Sequence, residues 1–190
     1  MLECPSDFVD LEHTIPDLKR IMAYGSANNF TGAPLPGYAG THAWLHADCA
    51  QSLLAISDFF KSEGLRLRLY DAYRPIRAVH AMVAWAEREQ RTDLIEAGYI
   101  AGQSRHSKGC AVDVSLEWID TGEILDMGTP WDHFSAQSHS LNAEGHILEN
   151  RMRLRTPFVE HGWRAARTEW WHFDREAPHM RAIDVPYPAP

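Results

Sequence analysis

Between Leu65 and Tyr70 the chain reads LRLRLY, apolar and basic or aromatic residues in alternation. A period of two belongs to a strand with one face buried and the other partly wet. The stretches on either side have a different period. From His46 to Gly64 the apolar residues Leu53, Leu54, Ile56, Phe59 and Phe60 recur near every 3.6 residues, and Gly64 stands where a helix C-cap belongs. After the strand, Pro75 opens a second helical pattern, which runs roughly from Ile76 to Gln90 with Val79, Met82, Val83 and Trp85 inward. A missing N–H costs little in a first helical turn. A half-apolar strand between two amphipathic helices has its cover close at hand.

The rest of the chain fits the same class. AVDVSL from Ala111 to Leu116 reads as a strand, and so does Ile124 to Met127 after the DTG turn. Ala143 to His161 reads as a third helix stopped at Gly162, and the aromatic TEWWHF, Thr168 to Phe173, reads as a strand. Residues 25–40, GSANNFTGAPLPGYAG, predict a long ordered loop. Helices lead and strands dominate later, which predicts an α+β fold. With 190 residues and no repeat, low-complexity tract or linker, one domain over residues 1–190 is expected.

Charge excludes some partners. There are 18 Lys and Arg against 26 Asp and Glu, a formal charge of −8, with no basic run. Nucleic acid and anionic membrane surfaces both need concentrated positive charge, so neither is an expected partner. No run of about 18 apolar residues predicts a membrane span. The opening MLECPSDFVDLEHTIPDL has early acids and no continuous apolar stretch, so it predicts no signal peptide. Cys4, Cys49 and Cys110 are far apart and odd in number, which predicts free thiols in a reducing cytoplasm. Oligomeric state has no signal in the sequence.

Three segments carry chemistry. SRHSKGCAVD, Ser104 to Asp113, presents His106, a turn at Gly109, and an acid inside a strand. A catalytic zinc takes three ligands from His, Asp, Glu or Cys and leaves a position open. Asp113 is either such a ligand or a solvent-facing residue of its strand, and His106 is one of 11 histidines. EWWH offers Glu169 and His172, a base beside a metal ligand or an exposed pair on an aromatic edge strand. Positions i and i+3 of a regular strand face opposite sides, so a shared site needs a bulge or turn there. DAYRP sets Arg74 at a strand-to-helix junction, either facing a developing oxyanion or paired with Asp71.

Taken together, SRHSKGCAVD, EWWH and DAYRP resemble the D-alanyl-D-alanine dipeptidases. The likeness extends to YGSANNFTG at 24–32, RAV at 77–79, DTGEILDMG at 120–128 with Asp132, and RMRLR at 151–155. It covers most of residues 20–175. It implies a small, mainly antiparallel sheet with packed helices, the fold of zinc D,D-peptidases and the Hedgehog signalling domain. It implies one zinc per chain on His106, Asp113 and His172, Glu169 as catalytic base, and Arg74 stabilising the transition state. Asp132, Ser104 and Tyr24 match substrate-pocket positions, Asp132 meeting the substrate ammonium. Tyr73 and Trp171 match positions just behind the site. The implied substrate is a small dipeptide, and the implied setting is cell-wall metabolism, antibiotic resistance included. The chain departs from the pattern with a shorter loop before Tyr99, Cys110 where Ser or Thr is usual, and an unfamiliar tail after Asp174. Two other functions fit the same metal set: a carboxypeptidase acting on peptidoglycan stems, and a Hedgehog-like zinc module that binds without turnover. The first needs an open groove and export, and the second needs no base at Glu169.

Overall fold

Leu65, Leu67, Leu69 and Asp71 are buried while Arg66, Arg68 and Tyr70 are only half-buried, so the alternation survives as two faces of a strand. The computed structural model describes residues 3–176 and 179–189. In chain order the elements are β1 (Phe8–Asp10), α1 (Leu11–Thr14), β2 (Lys19–Arg20), β3 (Trp44–His46), α2 (Ala47–Ser62), β4 (Leu65–Asp71), α3 (Ile76–Arg88), α4 (Thr92–Glu96), β5 (Ala111–Trp118), α5 (Gly145–Glu160), β6 (Arg164–Ala165) and β7 (His172–Asp174). The main sheet has the order β2-β4-β5-β7-β6, and β1 pairs with β3 in a second, two-stranded sheet. Among the described residues only the β2–β4 pair is parallel. The fold is α+β with a mainly antiparallel sheet.

The leucine face of β4 packs with Leu53, Ile56 and Phe60 of α2 and with Val112, Val114 and Leu116 of β5 in the main core. β5 lies between β4 and β7, and every residue from Ala111 to Glu117 is buried. Leu154 and Phe158 of α5 join this core, and Phe158 stacks on Phe173 of β7 at 4.1 Å. A second cluster, with Tyr24, Leu35, Ala78, Met82 and Leu94, lies under α3 and α4. Among the described residues no helix is long and apolar enough to cross a membrane.

Two expected strands are different in the structure. Ile124–Met127 makes one bridge, Ile124 to Glu117, and Leu125 N–H reaches Leu116 O at 2.9 Å. The pairing stops there because the Asp126 side chain accepts Gly128 N–H at 2.8 Å and Gly128 turns the chain at φ +79°. In TEWWHF only His172 and Phe173 are extended, continuing to Asp174 as β7. The residues before them form a turn closed by His172 N–H to Glu169 O, 3.3 Å. The third helix begins at Gly145 rather than Ala143, and α2 at Ala47, where the His46 side chain accepts Asp48 N–H at 3.3 Å. β1, α1, β2 and β3 are too short to show a period in sequence.

The tail is fastened across the fold. Ile183 N–H bonds Ser107 O at 2.9 Å, Tyr187 N–H bonds Gly37 O at 2.8 Å, and the Tyr187 hydroxyl donates to Tyr73 O at 2.7 Å.

Candidate active site

Strand register sets Asp71, Asp113 and His172 side by side across β4, β5 and β7. The β4–β5 register shifts between Leu69 and Asp71. Such bulges re-aim a side chain where a ladder ends. His106 arrives from a short 3-10 turn, His106–Lys108, that Gly109 closes at φ +66°. A Cβ on Gly109 would lie 2.2 Å from the Phe8 ring, so only glycine fits.

These elements bring three ligand atoms together. His106 Nε2 lies 3.2 Å from His172 Nδ1 and 3.4 Å from Asp113 Oδ1, and His172 Nδ1 lies 3.0 Å from Asp113 Oδ1. An ion with tetrahedral bonds of about 2.0–2.2 Å spaces its ligand atoms by roughly 3.3–3.6 Å. His106 Nδ1 donates to Ala72 O at 2.6 Å, which leaves the Nε2 lone pair for the centre. Burial would raise the Asp113 carboxyl, but the His106 and His172 rings reverse this and hold it far below the usual carboxylate range. Burial would likewise lower His172, yet the Asp113 and Asp174 carboxylates push it up to about 10. The cluster attracts positive charge, and a metal ion would take the place of that proton. The donor set and spacing therefore fit a divalent metal. Two other His/carboxylate groupings, around Asp48 and around Asp10, are more exposed.

Six of the other seven expected residues surround a cavity of about 260 Å³ that the three ligands also line: Arg74, Glu169, Asp132, Tyr24, Ser104 and Trp171. Arg74 is paired with Asp71 and also lines the cavity. Its Nη2 and Nε bond Asp71 Oδ2 at 2.8 and 2.9 Å, Nη2 is 3.6 Å from Asp113, and the guanidinium borders the cavity. Its Cζ lies 4.9 Å from the Tyr24 ring centroid. Glu169 is carried by the turn before β7, which gives it the same side as His172 despite the i, i+3 spacing. Burial pushes its carboxyl up to about 7, against the pull of the His172 and Arg74 charges. Asp132 accepts the Tyr24 hydroxyl at 2.8 Å in a left-handed conformation, φ +58°. Burial and then the Asp113 charge raise its carboxyl well above the usual range. Ser104 Oγ accepts His106 N–H at 3.2 Å.

Tyr73 is brought elsewhere. It is fully buried outside the cavity, and its hydroxyl bonds the tail at Ile183 O and Val185 O, 3.1 and 3.0 Å. It packs against Phe8, Trp44 and Tyr187 and does not line the cavity.

Three further residues contribute, of which sequence reading named only Asp71, as a partner for Arg74. Asp71 anchors Arg74 and lies 3.4 Å from His106 Nδ1, and Tyr38 donates to Asp71 Oδ1 at 2.6 Å. Tyr99 lines the cavity, its hydroxyl 3.1 Å from His139 Nε2 and its ring 5.4 Å from Phe134. Asp71 was visible as a partner for Arg74 in DAYRP. Nothing local marks Tyr38 or Tyr99.

The D-ala-D-ala dipeptidase family model matches residues 5–188. The D-alanyl-D-alanine dipeptidase of Enterococcus faecium is 33% identical over 197 residues, covering 95% of this chain and 94% of its own length. That of Enterococcus faecalis is 32% identical over 199 residues, with the same two coverages. The solved structure of LdcB, an LD-carboxypeptidase, shares the fold with a TM-score of 0.50 and 16% identity over 91% of this chain and 69% of that one. A family match of this extent, over a centre whose donor atoms fit a metal ion, makes the chain a member of the D-ala-D-ala dipeptidase family of metallopeptidases.

Proposed function

We propose that this chain is a zinc enzyme, one ion per chain, that hydrolyses D-alanyl-D-alanine to two D-alanines. One observation carries the reading: a single small cavity holds the three converging ligand atoms, a carboxyl poised near neutrality at Glu169, and a second carboxyl, Asp132, that makes no ion pair among the described residues. At about 260 Å³ the cavity is below the roughly 300–1,000 Å³ of drug-sized sites and suits a substrate of two small residues.

In this reading His106 Nε2, Asp113 Oδ1 and His172 Nδ1 hold the zinc. Bound there, the ion supplies Lewis-acid polarisation of the scissile carbonyl. Glu169 takes a proton from the attacking water and returns it to the leaving amine, and a pKa near the working pH serves both transfers. Arg74, fixed by Asp71, offers its guanidinium to the carbonyl oxygen as that oxygen turns negative. Asp132, oriented by Tyr24, receives the substrate ammonium, and a cation beside it draws the raised carboxyl back to its charged form. The Ser104 hydroxyl is free to donate to the substrate carboxylate. Trp171 walls the cavity, and Tyr73 ties the Arg74 segment to the tail. Three unbridged thiols, Cys4, Cys49 and Cys110, support a cytoplasmic location.

The test is substrate size. An N-acetyl group removes the ammonium and leaves Asp132 unpaired, a penalty of about 3–5 kcal/mol by analogy with broken buried ion pairs. At about 1.4 kcal/mol per factor of ten this predicts kcat/KM roughly 10²–10⁴ lower for N-acetyl-D-Ala-D-Ala than for the free dipeptide. Steady-state rates of zinc-loaded protein on both substrates check it. Equal rates overturn the dipeptidase reading in favour of a carboxypeptidase, and no hydrolysis of either favours a binding module.

A further inference from the structure

Away from the catalytic cavity, the start of α2 and the tail bring a second group of metal donors together. His46 ends β3, Asp48 lies in the first turn of α2, and His179 arrives from the far end of the chain. His46 Nδ1 lies 3.8 Å from Asp48 Oδ2, and His179 Nε2 lies 3.7 Å from the same oxygen. One donor atom from each of the three residues stands within 4.8 Å of the other two. The two imidazole rings meet edge to face at 6.0 Å. None of the three residues lines the catalytic cavity.

The spacing is close to what an ion needs. Tetrahedral bonds of about 2.0–2.2 Å separate ligand atoms by roughly 3.3–3.6 Å, so the group has only a few tenths of an ångström to close. Asp48 and His179 can supply that closure, because their side chains are 68% and 67% exposed and free to turn. His46 is the fixed member. Its side chain is only 15% exposed, its ring packs edge-on to Phe8 at 5.9 Å, and its backbone N–H is held by Gly109 O at 3.0 Å. Its Nδ1 accepts Asp48 N–H at 3.3 Å, so that nitrogen carries a lone pair rather than a proton. The bond is long, and water can take over an exposed N–H in a first helical turn. Arg175 donates to Asp48 O at 3.2 Å, and its charge weakens the site for any cation. Two imidazoles beside one carboxylate select a first-row divalent metal over magnesium or calcium, which take oxygen donors.

The tail gives the group a consequence. It leaves β7 with Arg175 N–H on Cys110 O at 2.9 Å and is fastened again at Ile183, on Ser107 O. His179 stands between these two points. We propose that His46, Asp48 and His179 form a second, non-catalytic zinc site, weaker than the catalytic one, that clips the tail to the start of α2. It fills only when free zinc exceeds what the catalytic centre needs. The proposal rests on this group alone and stands or falls independently of the dipeptidase reading.

Full-length chain is dialysed against zinc buffered first at low and then at micromolar free concentration. Bound zinc is measured by elemental analysis, and hydrolysis of D-Ala-D-Ala is followed in parallel. Wild type should hold one ion at low free zinc and two at high. His179→Ala should weaken the second ion at least about 10–100-fold, the loss that disturbing a partner behind a ligand already causes, while hydrolysis at low free zinc stays at the wild-type rate. Asp48→Asn should behave alike. His106→Ala should lose the first ion and keep the second, which separates failure of this site from failure of the catalytic assignment. Magnesium offered in place of zinc should not occupy the second site. The proposal is overturned if wild type takes up no second ion, if that ion survives both His179→Ala and Asp48→Asn, or if magnesium fills the site equally well. Loss of the second ion in His42→Ala instead also overturns it and moves the site to the Asp10, Glu12 and His42 group.

Discussion

Glu169 and Asp132 are both carboxyls pushed upward by burial, yet they differ in what their neighbours leave undone. Glu169 faces His172 and Arg74, whose charges limit its rise to about 7. As the proposed base, its removal in Glu169→Ala should lower kcat at least about 10²-fold, the scale of general acid–base catalysis. Metal content measured by elemental analysis should stay at the wild-type level, and loss of the metal instead would make Glu169 a ligand. Asp132 has a tyrosine hydroxyl and no ion pair among the described residues, and its carboxyl rises well above the usual range. A carboxyl with a raised folded-state pKa binds more protons folded than unfolded. Its contribution to stability is present below the unfolded pKa of about 3.9 and is lost as pH rises through the folded value. Asp132→Asn removes that loss, and asparagine also accepts φ +58° well. The variant should therefore melt higher than wild type near pH 7.5, with the gap closing toward pH 4. Its kcat/KM on the free dipeptide should fall roughly 10–150-fold, the worth of one charged hydrogen bond. A melting temperature that drops at pH 7.5 would show that Asp132 is a structural group.

At the scale of elements, three short connections do what the long elements cannot. The turn Thr168–Trp171 brings Glu169 and His172 to one side of the sheet, a spacing that an uninterrupted strand would split between two faces. The β4 register shift sets Asp71 beside Asp113. The turn closed by Gly109 sets His106 over β5. Gly109→Ala tests the last of these. The added Cβ would meet the Phe8 ring at 2.2 Å and the His46 nitrogen at 3.0 Å, in a left-handed backbone. Overpacking and backbone strain together cost roughly 2–4 kcal/mol. For a chain of this length that is a drop of about 4–16 °C in Tm, with weaker metal retention because His106 sits on the displaced turn. Thermal unfolding and metal analysis check both, and a wild-type Tm would mean that Phe8 yields freely.

Over the whole molecule, the ligand set links distant parts of the chain. His106 follows the second helical region, Asp113 lies in the central strand and His172 in the strand beside it, and the tail ties the Arg74 and Ser107 segments together. A bound ion therefore stabilises the fold by mass action. At about 100 times its Kd that is roughly 2.7 kcal/mol, or about 5–10 °C in Tm for a chain of this size. Treatment with a strong chelator should lower Tm by that amount, and added zinc should restore it. A Tm indifferent to chelation would argue against a metal at His106, Asp113 and His172.

The residues themselves determined the local periods. LRLRLY could only be a half-buried strand, Gly64 ended α2 at φ +75°, and Pro75 opened α3. Such patterns are legible because side chains two apart on a strand, or three and four apart on a helix, share a face whatever the rest of the chain does. The resemblance in SRHSKGCAVD, EWWH and DAYRP also pointed to the residues that meet in the cavity, with Tyr73 outside it. The meeting itself was decided by tertiary structure. Asp113 and His172 are 59 positions apart and become neighbours only through the β5–β7 register, and a slip of one residue would turn each to the opposite face. The stop after Leu125 and the Tyr38–Asp71–Arg74 chain have the same origin. Each depends on which strand edges and loops come together, and no local period in the chain carries that information.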